Sequence, residues 1–254
     1  GCSAARTAVQ QLGVTLHTLN TSEEFLRIVQ NPRHGYGRNM NPCLDCRILM
    51  FRKAKELMAK VGARFLVIGE VLGERPMSQR REAMRLIERE AGVEGLVVRP
   101  LSANLLEPSI PEREGWVDRT RLLALQGRCR KPQLELARTY GLKDYPCPAG
   151  GCLLTDAGFA ARMRDLVSHS WLLHLHDVLL LKFGRHFRLA PTAKAIVGRD
   201  EQENERLVAL SCKEDILMEV SGEPGPTTVV RGEAGERELN ISASLTARYS
   251  KARS

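Results

Sequence analysis

Apolar residues in the first 140 positions recur at two spacings, and the two alternate. Ala4, Ala5, Ala8, Val9 and Leu12 share one helical face, and Gly13 stops that helix. Residues 14–19 alternate and are β-branched, which predicts a strand. Thr21 or Ser22 caps a helix to Val29, with Glu24 as capping-box partner of Thr21. Residues 31–39 are polar and carry Pro32, Gly35 and Gly37, a loop. Leu49, Met50, Ala54, Leu57 and Met58 mark a helix over 47–58, and Gly62 resets the chain. Residues 64–68 read as a buried parallel strand, and 96–101 as the next, ended by Pro100. Ser78 is the expected cap of the helix between them, which runs to Glu90. Asp118 predicts a helix to Leu125, and Pro132 begins another that Gly141 ends.

Strand–helix alternation over about 145 residues predicts an α/β domain with a parallel sheet. The rhythm changes after about 165. Strand-like runs at 178–183, 195–197, 215–220 and 227–231 surround a helix over 201–210. We therefore expect two domains, 1–165 and 166–254, the second a small α+β unit.

The chain has 254 residues, 43% of them hydrophobic, which is enough for one large core or two smaller ones. No apolar run reaches the roughly 18 residues of a membrane span. The chain opens on Gly1 rather than Met, so we expect the gene to encode residues upstream. The net charge of +8 is unevenly placed. Residues 1–164 hold 26 Lys and Arg against 17 Asp and Glu, a net +9; the remainder hold 12 against 13, a net −1. A basic first part points to a polyanionic partner. The turn Arg128-Cys129-Arg130-Lys131, just before a helix, is a candidate phosphate contact. Arg81, Arg85 and Arg89 form a second basic stripe, equally consistent with a solvated face.

Seven cysteines, at spacings unlike a secreted disulfide scaffold, point to cytosolic thiols used for chemistry. Cys43 and Cys46 follow Pro42 at a loop-to-helix junction, where free N–H groups and the helix dipole lower a thiol pKa. Inert packing thiols are the plain alternative. Cys147 and Cys152 lie on a loop rich in Pro and Gly. In an open α/β sheet, loops beyond the carboxyl ends of strands meet in one crevice. Cys43, Cys46 and Cys152 are therefore expected to share a site, with Cys147 as a possible fourth member.

Three stretches resemble one group of enzymes. Gly69-Glu70-Val71-Leu72-Gly73-Glu74, with Ser78-Gln79, is similar to the Gly-Glu-x-Leu-Gly-Gln-x-x-Ser-Gln segment of the tRNA 4-thiouridine synthetases, with Glu74 in place of Gln. Asn41-Pro42 followed by Cys46 resembles the Asn-Pro-x-x-x-Cys of the tRNA 2-thiouridylases. The loop at 147–152 falls where the first group keeps its acceptor-site cysteine. The resemblance covers about residues 1–165 and implies the fold of a PP-loop, adenine nucleotide alpha hydrolase-like ATPase. The family's Ser-Gly-Gly-x-Asp-Ser phosphate loop is absent, so the domain is expected to be N-terminally incomplete and this chain alone inactive.

The resemblance also implies a chemistry. ATP with Mg²⁺ would adenylate a uridine, and sulfur from a cysteine persulfide or a [4Fe-4S] cluster would replace the carbonyl oxygen. Cys43, Cys46 and Cys152 would carry sulfur or ligate the cluster, with zinc the lesser alternative. Gly69, Glu70, Gly73, Ser78 and Gln79 would line the nucleotide site. The partners implied are tRNA and a sulfur donor such as a cysteine desulfurase or sulfide, in the cytoplasm. In the tail, Gly184-Arg185-His186-Phe187-Arg188 and residues 196–204 resemble the RNA-binding domain of ribosome quality-control factors. That resemblance makes Arg185, Arg188 and Arg199 candidate RNA contacts. A second function stays open beside the tRNA sulfurtransferase: a non-catalytic RNA-binding protein with a structural cysteine metal site.

Overall fold

Glycines in the left-handed conformation end two long helices of the first half, as the sequence pattern requires. In the computed structural model, which describes residues 2–143, 151–170 and 172–251, α1 (Cys2–Leu12) is followed by α2 (Ser22–Gln30) and α3 (Cys43–Val61). Gly62 closes α3 at φ 70°, and Gly92 closes α4 (Arg81–Ala91) at φ 68°. Strand β1 (Leu66–Val67) pairs in parallel with β2 (Val97–Val98). Short helical turns follow, among them α5 (Ile110–Arg113), and α6 (Lys131–Thr139) has Pro132 in its first turn. Ile48 and Phe51 of α3, Ile87 and Ala91 of α4, and Val93 and Val97 form one buried cluster. Leu66 and Ile68 pack on it. The helices thus cover the small sheet and hold the first turn of α3 in place.

The chain divides into two compact units, Gly1–Cys152 and Leu153–Ser254. Helix α7 (Ala157–Ser168), capped by Asp156 through the Phe159 N–H at 2.7 Å, belongs to the second unit. The boundary expected at 165 therefore falls inside a helix. The second unit continues with α8 (Leu175–Leu180), β3 (Arg185–Ala190), β4 (Ala193–Val197), α9 (Glu201–Leu210), β5 (Ile216–Met218), β6 (Thr228–Gly232) and α10 (Glu236–Arg248). Its four strands form an antiparallel sheet in the order β3-β4-β6-β5. Leu180, Ile196, Leu207 and Val229 make its core. Thr246 of α10 donates to Thr228 of β6 at 2.7 Å, a buried polar link from helix to sheet.

Several expectations are corrected. Residues 14–19 are not a strand: Val14, Leu16 and Leu19 are exposed, and the segment has no ladder partner among the described residues. The apolar run at 178–183 is helical at its start, because Leu180 and Leu181 both turn into the core; periodicity cannot tell so short a run from a strand. Asp118 caps a single 3-10 turn, Arg119–Arg121, rather than a helix to Leu125. Arg80, not Ser78, precedes α4, and Ser78 is buried in the loop before it. Thr21 makes no side-chain cap; Asn20 instead accepts from the Ser22 N–H at 3.0 Å. The architecture is mixed α/β, and its described parallel pairing is confined to β1–β2 and one bridge, Leu72 to Gln126.

Candidate functional site

Asn41 builds the entrance to α3. Its backbone carbonyl accepts from Gly37 at 2.9 Å and from Cys43 at 3.0 Å. Its buried side chain donates to the Cys43 sulfur at 3.1 Å, and its side-chain oxygen accepts from Asn39 at 3.3 Å. Gly37 must be glycine, since a Cβ there would lie 2.2 Å from the Met77 sulfur and 2.3 Å from the Asn41 amide nitrogen. Cys43 and Cys46 therefore stand in the first turn of α3 itself, not on the preceding loop.

A cavity of about 320 Å³ opens beside this turn. Cys43, Cys46 and Cys152 all line it, although more than a hundred positions separate the last from the first two. Gly69, Ser78 and Gln79 form another part of its wall, with Glu74 and Arg75 between them. The loop that carries them is braced from behind. Leu72 N–H donates to the Ser102 hydroxyl at 2.9 Å, and that hydroxyl donates to the Leu125 carbonyl at 2.7 Å. Gly127 N–H donates to the Leu72 carbonyl at 2.7 Å. The basic turn is thus joined to the cavity wall, and Arg130 stands 3.7 Å from the Glu74 carboxylate. Arg128 and Lys131 flank it in the same turn.

Cys46 differs from the electrostatic expectation. Burial pushes the Cys46 thiol up to about 11, and the neighbouring Cys152 sulfur adds to the shift. At neutral pH Cys46 is a thiol, because loss of water outweighs the helix dipole that was expected to ionise it. Cys152 is exposed at the mouth. Among the described residues no group of three or more His, Cys, Asp or Glu is arranged to hold a metal ion. Cys147 lies outside the described residues.

The residues expected at a nucleotide divide in two. Gly69, Ser78 and Gln79 line the cavity. Glu70 does not: its carboxylate, 1% exposed, is held by Arg99 at 2.8 Å and by Arg47, and Arg99 is paired in turn with Glu88. A carboxylate shared by two guanidinium groups is a structural node and has no free face for Mg²⁺. Gly73, at φ 78°, turns the loop and donates to the Gln79 carbonyl at 2.7 Å. The Ser-Gly-Gly-x-Asp-Ser phosphate loop of the resembled family does not occur in the sequence. Arg47 and Arg75, which sequence reasoning did not select, also border the cavity. Nothing in their spacing marked them.

In the second unit, residues 196–204 form a corner between β4 and α9. Asp200 caps α9 by accepting from Glu203 at 2.9 Å. The Asn204 side chain accepts from Thr227 at 3.0 Å and donates to Gly225 at 3.2 Å. A Cβ at Gly198 would lie 2.0 Å from the Asn204 side-chain oxygen. Glu203 accepts from the backbone N–H of Gly184 at 3.0 Å and of Arg199 at 3.1 Å. The quoted motif thus holds the corner together. Residues 184–254 match the family described as NFACT protein RNA binding domain. Neither the curated proteins nor the solved structures compared with the chain give a match. The second unit therefore carries a segment similar to an RNA-binding domain, in keeping with the resemblance read at 184–204.

Within that matched segment the three candidate arginines are placed differently. Arg185 sits 4.5 Å from the centre of the Tyr249 ring and reaches the Gly198 carbonyl at 3.4 Å. Arg199, half exposed, pairs with Glu203. Arg188 is bound to Asp165 through two bonds, of 3.1 and 2.8 Å, and Lys194 joins the same carboxylate at 2.9 Å. One carboxylate is thus shared by two cations and Arg199 has its own acidic partner, so Arg185 is the candidate arginine without an ion pair among the described residues. Burial alone would raise the Asp165 pKa; Arg188 and Lys194 outweigh it and hold the carboxyl well below the usual range. Burial, with Lys194 beside it, pushes the His186 imidazole down to about 3, so it is neutral. The Cys212 sulfur lies 3.0 Å from His176 Nδ1. Among the described residues no helix is long and apolar enough to cross a membrane.

Proposed function

We propose that this protein binds tRNA in the cytoplasm and transfers sulfur to one of its uridines. The observation that carries the reading is the meeting of three distant cysteines on one small cavity, in a chain whose tail matches an RNA-binding domain. Two thiols three residues apart need no special cause, whereas a third arriving from position 152 does. The positive first unit, with Arg128, Arg130 and Lys131 in the turn joined to the cavity wall, supports a polyanionic partner.

Exposed Cys152 is the residue best placed to take the outer sulfur of a cysteine desulfurase persulfide, the desulfurase thiolate leaving, whereas sulfide would act on the activated carbon directly. Cys46 keeps its proton at neutral pH and is a poor nucleophile until it ionises. Cys43, fixed by Asn41, holds the geometry of the turn. The family resemblance implies that ATP with Mg²⁺ activates the carbonyl oxygen as a leaving group. Because this sequence lacks the phosphate loop, the test reads sulfur acceptance: incubate the protein with a cysteine desulfurase and sulfur-labelled cysteine, follow the label on the protein, and measure tRNA binding in parallel. Label that disappears with Cys152→Ala supports the reading. Tight tRNA binding with no labelled persulfide would favour the second reading, a non-catalytic RNA-binding protein. The buried, protonated Cys46 thiol suits packing better than nucleophilic chemistry, which favours that second reading.

A further inference from the structure

We infer that Cys212 is a reactive thiol that exchanges with small disulfides, with His176 as its base. The site belongs to the second unit alone and does not depend on the sulfur-transfer reading. Cys212 is exposed just after α9, so a small molecule can reach its sulfur. That sulfur lies 3.0 Å from Nδ1 of His176, which stands in α8, 36 positions earlier. Arg231 of β6 brings Nη2 to the same sulfur at 3.4 Å. A thiol, an imidazole and a guanidinium from three separate stretches of the chain thus meet at one exposed point.

The surroundings fix that geometry. The Cys212 N–H donates to the Asp215 carboxylate at 2.7 Å, and the Cys212 carbonyl accepts from the Asp215 N–H at 3.1 Å. Arg231 donates through Nε to Asp215 at 2.8 Å, and through Nη1 to Asp177, the neighbour of His176, at 2.7 Å. The two carboxylates hold the guanidinium against the turn that carries Cys212. Packing does not account for the arrangement, since an exposed sulfur buries little and a thiol is a weak hydrogen-bonding group. A cysteine within hydrogen-bond reach of a histidine is the arrangement that activates a sulfur nucleophile. In the tautomer protonated at Nε2, Nδ1 takes the thiol proton as the Cys212 sulfur attacks one sulfur of the disulfide. A new S–S bond forms and the old one breaks. The departing thiolate takes the proton back from His176. The products are a mixed disulfide at Cys212 and one free small thiol, so the exchange needs no other oxidant. The Arg231 N–H steadies the negative charge on sulfur during the attack.

The test exposes the full chain to 2-hydroxyethyl disulfide at neutral pH, stops the reaction with acid at timed intervals and maps the adducts by peptide mass. This probe is uncharged, so Arg128 and Arg130 beside Cys129 do not draw it to that residue. Cys129, also exposed, then serves as the reference thiol within the same molecule. Cys212 should react roughly a hundredfold faster than Cys129, the lower end of the help a positioned base gives. Cys212→Ser should lose the fast adduct while the slow one at Cys129 remains. His176→Asn keeps a polar group beside the sulfur but cannot take its proton, and should bring the two rates together. A thermal melt shows whether that variant keeps its fold. Equal rates at Cys212 and Cys129 in the wild type overturn the inference, and this comparison stands whether or not the variant folds. A fast Cys212 whose rate is unchanged in folded His176→Asn overturns it as well, because His176 would then be a hydrogen-bond neighbour only.

Discussion

Asn41 donates its side-chain amide to the sulfur of Cys43 at 3.1 Å, across the proline that separates them. That bond turns a sequence motif into a fixed geometry. Pro42 forces the chain to change direction, Gly37 leaves room for the amide, and the amide sets the position of the first sulfur.

Asn41→Ala should lower stability by about 1–2 kcal/mol, because it removes a buried amide and frees the Asn39 N–H. Gly37→Ala should do so by about 1–3 kcal/mol through overpacking. The double variant should be less harmful than the sum, since removing the Asn41 amide vacates part of the space the new methyl needs. Urea denaturation of the four proteins checks this, and strict additivity would refute the coupling.

Cys46 should be the slow thiol. Its pKa of about 11 means that alkylation by iodoacetamide near pH 8 should label exposed Cys129, Cys152 and Cys212 first. Labelling of Cys46 should accelerate only above about pH 9, as its thiolate fraction grows. The sign for stability follows: the fold favours the neutral thiol, so this contribution is complete below the unfolded value of about 8.5. It fades as pH rises toward 11. Peptide mapping by mass after timed alkylation gives the order, and prompt labelling of Cys46 near pH 8 would contradict it.

The mixed α/β character and the resemblance of the tail to an RNA-binding domain were legible in the sequence. The ionisation state of Cys46 was not. A position in the first helical turn can be read from Pro42, but the burial that overrides the dipole depends on residues brought from 74–79 and 152. Glu70 fails for a similar reason. The Gly-Glu motif gives no hint that Arg47 and Arg99 converge on its carboxylate, because those partners lie 23 and 29 positions away. Residues 14–19 carry strand chemistry, yet a ladder requires a neighbour, and no local pattern supplies one.

Replacing Arg128, Arg130 and Lys131 together with Ala should weaken tRNA binding and make it less sensitive to salt. The slope of log K against log salt should fall by roughly 1 for each phosphate that the variant no longer neutralises. Arg188→Ala should instead act on stability, since its guanidinium is bound to Asp165. A salt slope unchanged in the triple variant would remove the turn from the RNA interface.

Acid should destabilise the second unit in two stages. His186 is held neutral with a pKa of about 3, so its contribution is present above the unfolded value of about 6.5 and disappears as pH falls from there toward 3. Asp165 is depressed, so its share is present above about 4 and fades below it. His186→Phe should flatten the upper stage and leave the lower one. Thermal melts across this acid range measure both, and an unaltered upper stage in the variant would rule out His186 as its source.

The brace between Leu72 and Gly127 has a consequence for the order in which the molecule assembles. Residues 41–80 can form α3 and its facing loop soon after synthesis, but the wall behind them is pinned only once residues 125–127 have emerged. Cys152 arrives later still. During chain growth the first two cysteines therefore pass through a period in which no third sulfur stands opposite them. The three-cysteine arrangement is among the last parts of its unit to close, so a nascent or truncated chain carries the motif without the shared cavity.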